Sequence, residues 1–195
     1  MASGIITLKM LQSALDDVRD ELCEMDLLTK CLEEVDVQLV SPLYPEIPYG
    51  YYLEGSHFIL DWLGWKEGNI YIPSVKYSTL LSIFGYGDSF SLRHVLRHEY
   101  GHALAHRHPR MVRRSVIFWR TYNGGYDQDY SFFSYHKNLF VSEYAATKPQ
   151  EDFAETFALY VRKKGDISRY RKRHRVYSKL RFIKDLNKKT IKLTS

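Results

Sequence analysis

The sequence predicts an α+β fold, and three observations carry that expectation. Near the start, Leu8, Leu11, Leu15, Val18, Leu22 and Met25 alternate steps of three and four, the spacing of an amphipathic helix. Between residues 35 and 73 the pattern changes to short alternating stretches, "VDVQLV" (35–40) and "NIYIP" (69–73), which read as strands. Beyond them, helical spacing returns in "EDFAETFALYV" (151–161) and in Val176, Leu180 and Ile183. With 195 residues, 45% hydrophobic and 15% aromatic, the chain is expected to form a single domain over 1–195 with a real core.

Residues 1–34 make the N-terminal helix, predicted over 8–34, with Leu32 a heptad beyond Met25 and acids on the opposite face. Residues 35–88 hold the sheet region. "SPLYPEIPYG" is loop by its prolines and glycine, and "YYLEGSHFILDW" contains a further short strand. "FGYGDS" breaks the pattern and offers Asp88, Ser89 or Ser91 as cap for a helix over 89–107. Residues 107–140 are an aromatic-rich excursion with Pro109 and a Gly124-Gly125 turn, expected to shape a cleft. Residues 141–195 carry two more helices, the second strongly basic.

Several function classes fall away on composition. Cys23 and Cys31 lie eight apart in a predicted helix, about 12 Å of rise, so they cannot bridge within it. Two cysteines also exclude a Cys-rich zinc site, leaving His, Asp or Glu to hold any metal. No apolar run approaches the length of a bilayer span. "MASGIITLKMLQSALDD" lacks the plan of a signal peptide, so the expectation is a soluble, cytoplasmic protein, with signal-independent secretion left open. The formal charge of +5 is uneven. From Arg162 onward 14 Lys or Arg face two acids, net +12, so the preceding residues carry −7. The run "RYRKRHR" (169–175) resembles a nucleic-acid contact, but the apolar stripe beside it favours a solvated face of a docked helix.

The chemistry concentrates in "RHVLRHEYGHALAHRH" (93–108). His94, His98, His102 and His106 are each four apart, so each neighbouring pair shares a helix face and could chelate. The form H-E-x-x-H needs a carboxylate directly after the first ligand, and only His98, followed by Glu99, has one. Two imidazoles and one carboxylate leave zinc an open position for water. Glu99, turned about 100° from His98, then sits beside the metal as a base and not on it. Gly101 costs about 1 kcal/mol of helix propensity, which points to close packing or backbone approach there.

The third ligand has two competing places. His108 has the spacing of H-E-x-x-H-x-x-G-x-x-H, but Ala105 stands at the turning glycine, and the only later methionine, Met111, is immediately adjacent. The alternative is a carboxylate from "KPQEDFAETF", where Glu151 and Glu155 are four apart on one face. One of these two can bind metal while the other holds a ligand histidine's second nitrogen.

Together, "HEYGH" and "FVSEYAATKPQEDFAETFALYV" resemble the gluzincin metallopeptidases of the anthrax lethal factor type and a broader set of predicted zinc-binding metallopeptidases. The resemblance runs from about Leu92 to Leu186 and is weak within 107–140. It implies a zincin-like domain: a small twisted sheet, the HExxH helix beneath it and a helical lower half. It implies Zn2+ held by His98, His102 and Glu151, Glu155 orienting a ligand histidine, and Tyr144 stabilising an oxyanion. Thr147 and Pro149 fit the wider pattern, while Lys148 stands where Asn is common, a small departure expected to leave the ligands untouched.

The expected function is a zinc-dependent endopeptidase with Glu99 as general base, acting on a protein or peptide substrate. "NIYIP" is the expected sheet edge for an extended substrate. Two rivals remain: a regulatory gluzincin that cleaves a partner repressor, and a basic nucleic-acid- or membrane-surface-binding protein with a structural zinc. His94, His106 and His108 are expected on the surface or one contact away from the metal.

Overall fold

A computed structural model of the chain describes residues 4–27, 32, 35–41, 51–54, 68–76, 91–126 and 136–194. Helix α1 (Leu8–Glu24) starts at Thr7, whose hydroxyl accepts the Met10 N–H at 3.3 Å. Leu11, Ala14, Leu15, Val18 and Leu22 form its buried stripe. The helix is shorter than the expected 8–34. Asp26 adopts φ +53°, its N–H donates to the Cys23 carbonyl, and the Leu27 N–H donates to the Leu22 carbonyl. That pair of bonds is a Schellman ending, built on an aspartate where glycine is the usual signal. Cys23 is an exposed free thiol.

Among the described residues, three strands form a mixed sheet in the order β1 (Val37–Val40), β3 (Gly68–Pro73), β2 (Tyr51–Glu54). β1 runs parallel to β3, from Val37 opposite Ile70 to Val40 opposite Pro73. β2 runs antiparallel to β3, with Tyr52 opposite Ile70. "NIYIP" is therefore the central strand, not the edge. Both its ladders are taken, and Ile70 and Ile72 are fully buried, so it has no free main-chain row for a substrate. Ile5 bridges to Lys76, and the Ile6 N–H donates to the Val75 carbonyl, fixing the chain's start beside the end of β3.

Helix α2 (Leu92–Arg107) carries the histidine ladder and packs against α1, β2, β3 and, most extensively, the later helix α4 (Pro149–Arg162). Ser91 holds its N-cap position with extended backbone, but its side chain makes no capping bond. Asp88 and Ser89 lie outside the described residues. Arg97 is buried and forms a bidentate pair with Glu21 at 2.6 and 2.7 Å, and Arg93 meets Asp17 at 2.9 Å. The acidic face of α1 thus faces arginines of α2. This register levels Asp17 with the start of α2. Leu8, more than two turns earlier, overhangs α2 and is 67% exposed, contrary to its expected place in the stripe.

Within the excursion, helix α3 (Val116–Thr121) buries Phe118, while Tyr122 just beyond it stacks on Phe118 at 4.8 Å. Both rings pack edge-on to Phe153 and Phe182, so these aromatics build core. Gly124 and Gly125 take φ of +71° and +82°, as a glycine pair at a turn allows. Helix α4 (Pro149–Arg162) is buried on every side from Glu151 to Val161, where the sequence pattern indicated one apolar face. The reason is the fold around it: α2 covers one side and helix α5 (His174–Thr194) another. Val176, Leu180, Ile183 and Leu186 of α5 are buried, so the basic C-terminal segment is docked. Mixed helices with a small sheet make the architecture α+β. Among the described residues no helix is long and apolar enough to cross a membrane.

Candidate metal centre

Two helices meet where α2 and α4 cross. Gly101 removes the side chain at the closest point: a Cβ there would lie 3.0 Å from the Ala154 Cα and 3.3 Å from Phe157. That proximity brings His98 and His102, one turn apart on α2, against Glu151 in the first turn of α4. His98 Nε2 is 3.0 Å from Glu151 Oε2, His102 Nε2 is 3.2 Å from the same oxygen, and the two Nε2 atoms are 3.0 Å apart.

Atoms this close need either a proton or a cation between them. A tetrahedral zinc with bonds of about 2.0–2.1 Å would place neighbouring donors about 3.3 Å apart, close to the spacing found. The second nitrogen of His98 is committed elsewhere: Nδ1 lies 2.8 Å from Glu155 Oε1. With the proton on Nδ1, Nε2 keeps its lone pair toward Glu151 and His102. The donor set fits zinc.

The carboxylates around the imidazoles set the electrostatics. Burial opposes charge on His98, yet hydrogen bonds to Glu151 and Glu155 raise its pKa well above the ordinary value. Burial would lift Glu151, but its hydrogen bonds to His102 and His98 hold it far below the usual carboxylate range. Burial works the same way on Glu155, and there the charge of His94 and hydrogen bonds to His94 and His98 win. Glu99 behaves in the opposite sense. It is 3% exposed, and burial raises its pKa, against the lowering effects of His98 and His102. Its carboxylate accepts the Tyr52 backbone N–H, while Oε2 is buried with no hydrogen-bond partner among the described residues. A buried carboxylate oxygen left unsatisfied costs stability and marks a position held for another purpose.

The other expected residues are also placed. The Tyr144 ring lies 5.6 Å from the His98 ring, on a 3-10 turn (Tyr144–Ala146) leading into α4. Lys148 Nζ sits 3.2 Å from Glu151 Oε1, so the departure from the common Asn reaches the carboxylate directly. His108 is the C-cap of α2 and stands outside the cluster of three donor groups.

Segment 81–190, more than half of the chain, matches a family model described as a putative zinc-binding metallo-peptidase. The chain belongs to that family. No curated protein and no solved structure matches it. The metallo-peptidase match covers α2 to α5, the part that holds the whole donor cluster, and leaves α1 and the sheet outside it.

Three contacts of this chain escaped the sequence reading. His94 Nε2 lies 2.9 Å from Glu155 Oε1, and the Ser142 hydroxyl donates to Glu155 Oε2 at 2.6 Å. His106, only 3% exposed, is hydrogen bonded through Nδ1 to the Tyr52 hydroxyl at 2.8 Å. The spacing of four along α2 hinted at the first, since it stacks His94 beside His98. Nothing local to "VSEYAA" marks Ser142, and Tyr52 lies on a distant strand.

Proposed function

We propose that this chain is a zinc-dependent metallo-endopeptidase, with His98, His102 and Glu151 as the metal ligands. The observation that carries the reading is the convergence of three donor atoms within 3.0–3.2 Å, one of them on a histidine whose other nitrogen is held by Glu155. Zinc at this point supplies Lewis acidity, making water nucleophilic at neutral pH and polarising a peptide carbonyl.

The chain's own residues do the rest. Glu99 accepts a proton from the attacking water through its unpartnered oxygen and delivers it to the leaving amine. Burial raises its pKa above the ordinary carboxylate value, which makes it a stronger proton acceptor. Glu155 keeps His98 in the tautomer and orientation that ligation needs. Tyr144, beside His98, donates its phenol hydrogen to the oxyanion of the tetrahedral intermediate.

A structural zinc is the less favoured reading. Structural sites are closed on all sides, whereas the His102 side chain is 23% exposed and opens this cluster to solvent. The buried carboxylate of Glu99 has no part in a structural site. The lethal factor-type likeness of "FVSEYAATKPQEDFAETF" supports an endopeptidase.

The test compares the zinc-loaded native chain with Glu99→Gln on a complex protein mixture, reading new N-termini by mass spectrometry. The variant should bind one zinc and lose hydrolysis by about 10²–10⁴-fold. Full cleavage by a zinc-loaded Glu99→Gln chain would remove Glu99 from the chemistry.

A further inference from the structure

His106 closes the ladder of four-spaced histidines, and the proposed chemistry leaves it without a task. Its surroundings supply one. Glu99 and His106 are seven apart on α2, two turns, and so lie on nearly the same face. A single residue of β2 touches both: Tyr52 donates its backbone N–H to the Glu99 carboxylate and sets its phenol oxygen 2.8 Å from His106 Nδ1. The two rings are 5.6 Å apart, and His106 is buried.

The sheet is cut to fit this contact. Tyr52 pairs with Ile70, and its ring leans along β3 over Gly68, two residues back on the same face. A Cβ on Gly68 would stand 2.0 Å from the phenol oxygen and 2.3 Å from the ring carbon bearing it. Only glycine lets the phenol through to the helix. The Gly68 carbonyl accepts a long bond of 3.4 Å from Arg107, the residue after His106, so the same corner of β3 is tied to the end of α2.

We propose that His106 and Tyr52 form a clamp that seats strand β2 on α2 and thereby positions Glu99. Both are positioning residues. β2 has one strand neighbour among the described residues, so its height above α2 depends on side chains that bridge the gap. The clamp sets that height, and the height decides whether the Tyr52 N–H meets one Glu99 oxygen and leaves the other directed by the carboxylate plane. The inference rests on Glu99 acting as base, but its physical core, the coupling of His106 to the Tyr52 N–H, can be tested without any hydrolysis.

The experiment uses the full zinc-loaded chain, ¹⁵N-labelled, in native, His106→Ala, Tyr52→Phe, double-variant and His106→Asn forms. Three quantities are measured: hydrogen exchange of the Tyr52 amide, zinc affinity by chelator competition, and kcat and KM on fluorescein-labelled casein. His106→Ala and Tyr52→Phe should each speed Tyr52 amide exchange at least about tenfold and lower kcat by about tenfold, with KM and zinc affinity unchanged. The double variant should be no worse than either single one, and Asn, which keeps a polar atom near the Nδ1 position, should restore part of both losses. Tyr52→Phe removes one oxygen and keeps the ring, so it remains informative if His106→Ala folds poorly. Unchanged Tyr52 exchange in both single variants, or additive losses in the double one, would overturn the clamp. A native chain that cleaves nothing would overturn the peptidase reading alone, and the exchange data would still decide the clamp.

Discussion

Gly101→Ala sets two quantities against each other. Alanine in a helix interior is favoured over glycine by about 1 kcal/mol, so on an isolated α2 the change would stabilise. In the folded chain the new Cβ meets the Ala154 Cα at 3.0 Å and two atoms of Phe157 at 3.3 Å. Carbon atoms rest about 3.5–4.0 Å apart, so the α2–α4 gap must widen by about 0.5 Å. The obstacle is the backbone of a fully buried helix and cannot rotate away. Overpacking of this kind costs about 1–3 kcal/mol, leaving a net loss of about 0–2 kcal/mol. For a chain of this size that is a fall of at most about 8 °C in Tm. The metal should feel more. Glu151 lies one turn before Ala154, so widening the gap draws its Oε2 away from the two Nε2 atoms. Ligand distances are tolerated within about 0.2 Å, and a 0.5 Å error should weaken zinc binding by tenfold or more. Chelator competition for affinity and calorimetry of the metal-stripped chain give both numbers. A metal-stripped variant stabilised by about 1 kcal/mol with native zinc affinity would refute the close-approach argument.

Other perturbations separate the remaining residues. Glu151→Ala should release zinc and His108→Ala should retain it, read by metal analysis after dialysis; the reverse result would move the third ligand to His108. Glu155→Ala should weaken zinc binding by about 10–100-fold without abolishing it, because His98 loses its orienting partner. Asp152 gives a pH prediction. It is fully buried, and burial outweighs the nearby Lys179 ammonium, pushing its pKa up to about 6. A carboxyl raised in the folded state favours folding while protonated, so its contribution is present below about pH 4 and lost as pH rises through about 6. From an ordinary 3.8 this amounts to about 3 kcal/mol. Asp152→Asn should flatten the urea-stability curve between pH 4 and 6, and an unchanged slope there would contradict the assignment.

Local chemistry was legible in the sequence wherever neighbours along the chain are also neighbours in space. The pair His98 and His102, the adjacent Glu99 and the acids Glu151 and Glu155 are all set by helical spacing, which survives folding. Gly101 could be marked as costly, but which backbone approaches it could not be read, because Ala154 lies 53 residues on. Strand order failed for the same reason. "NIYIP" has the pattern of any half-buried strand, and only the pairing of β1 and β2 on its two sides makes it central. The end of α1 was missed because Asp26 in a left-handed conformation carries no glycine signal. The side-on burial of α4 was missed because Asp152 and Thr156 look like a polar face until Lys179 of α5 is placed against Asp152.

The choice between Glu151 and Glu155, which spacing leaves open, can be argued from hydrogen-bond capacity. Glu155 Oε1 faces both His98 Nδ1 and His94 Nε2, and Oε2 accepts the Ser142 hydroxyl. Each contact favours the ionised form and fills a lone pair, so this carboxylate has little left for a metal. Glu151 is differently occupied. One oxygen is met by the exposed Lys148, and the other faces two imidazole Nε2 atoms. If His98 carries its proton on Nδ1, that nitrogen brings a lone pair to the oxygen and not a hydrogen. An acceptor facing an acceptor at 3.0 Å is repulsive unless a cation lies between them, which favours Glu151 over Glu155 as the proposed ligand. His94 then has a use. It shares Glu155 Oε1 with His98, and removing it should leave Glu155 free to swing from Nδ1, loosening the ligand one turn away.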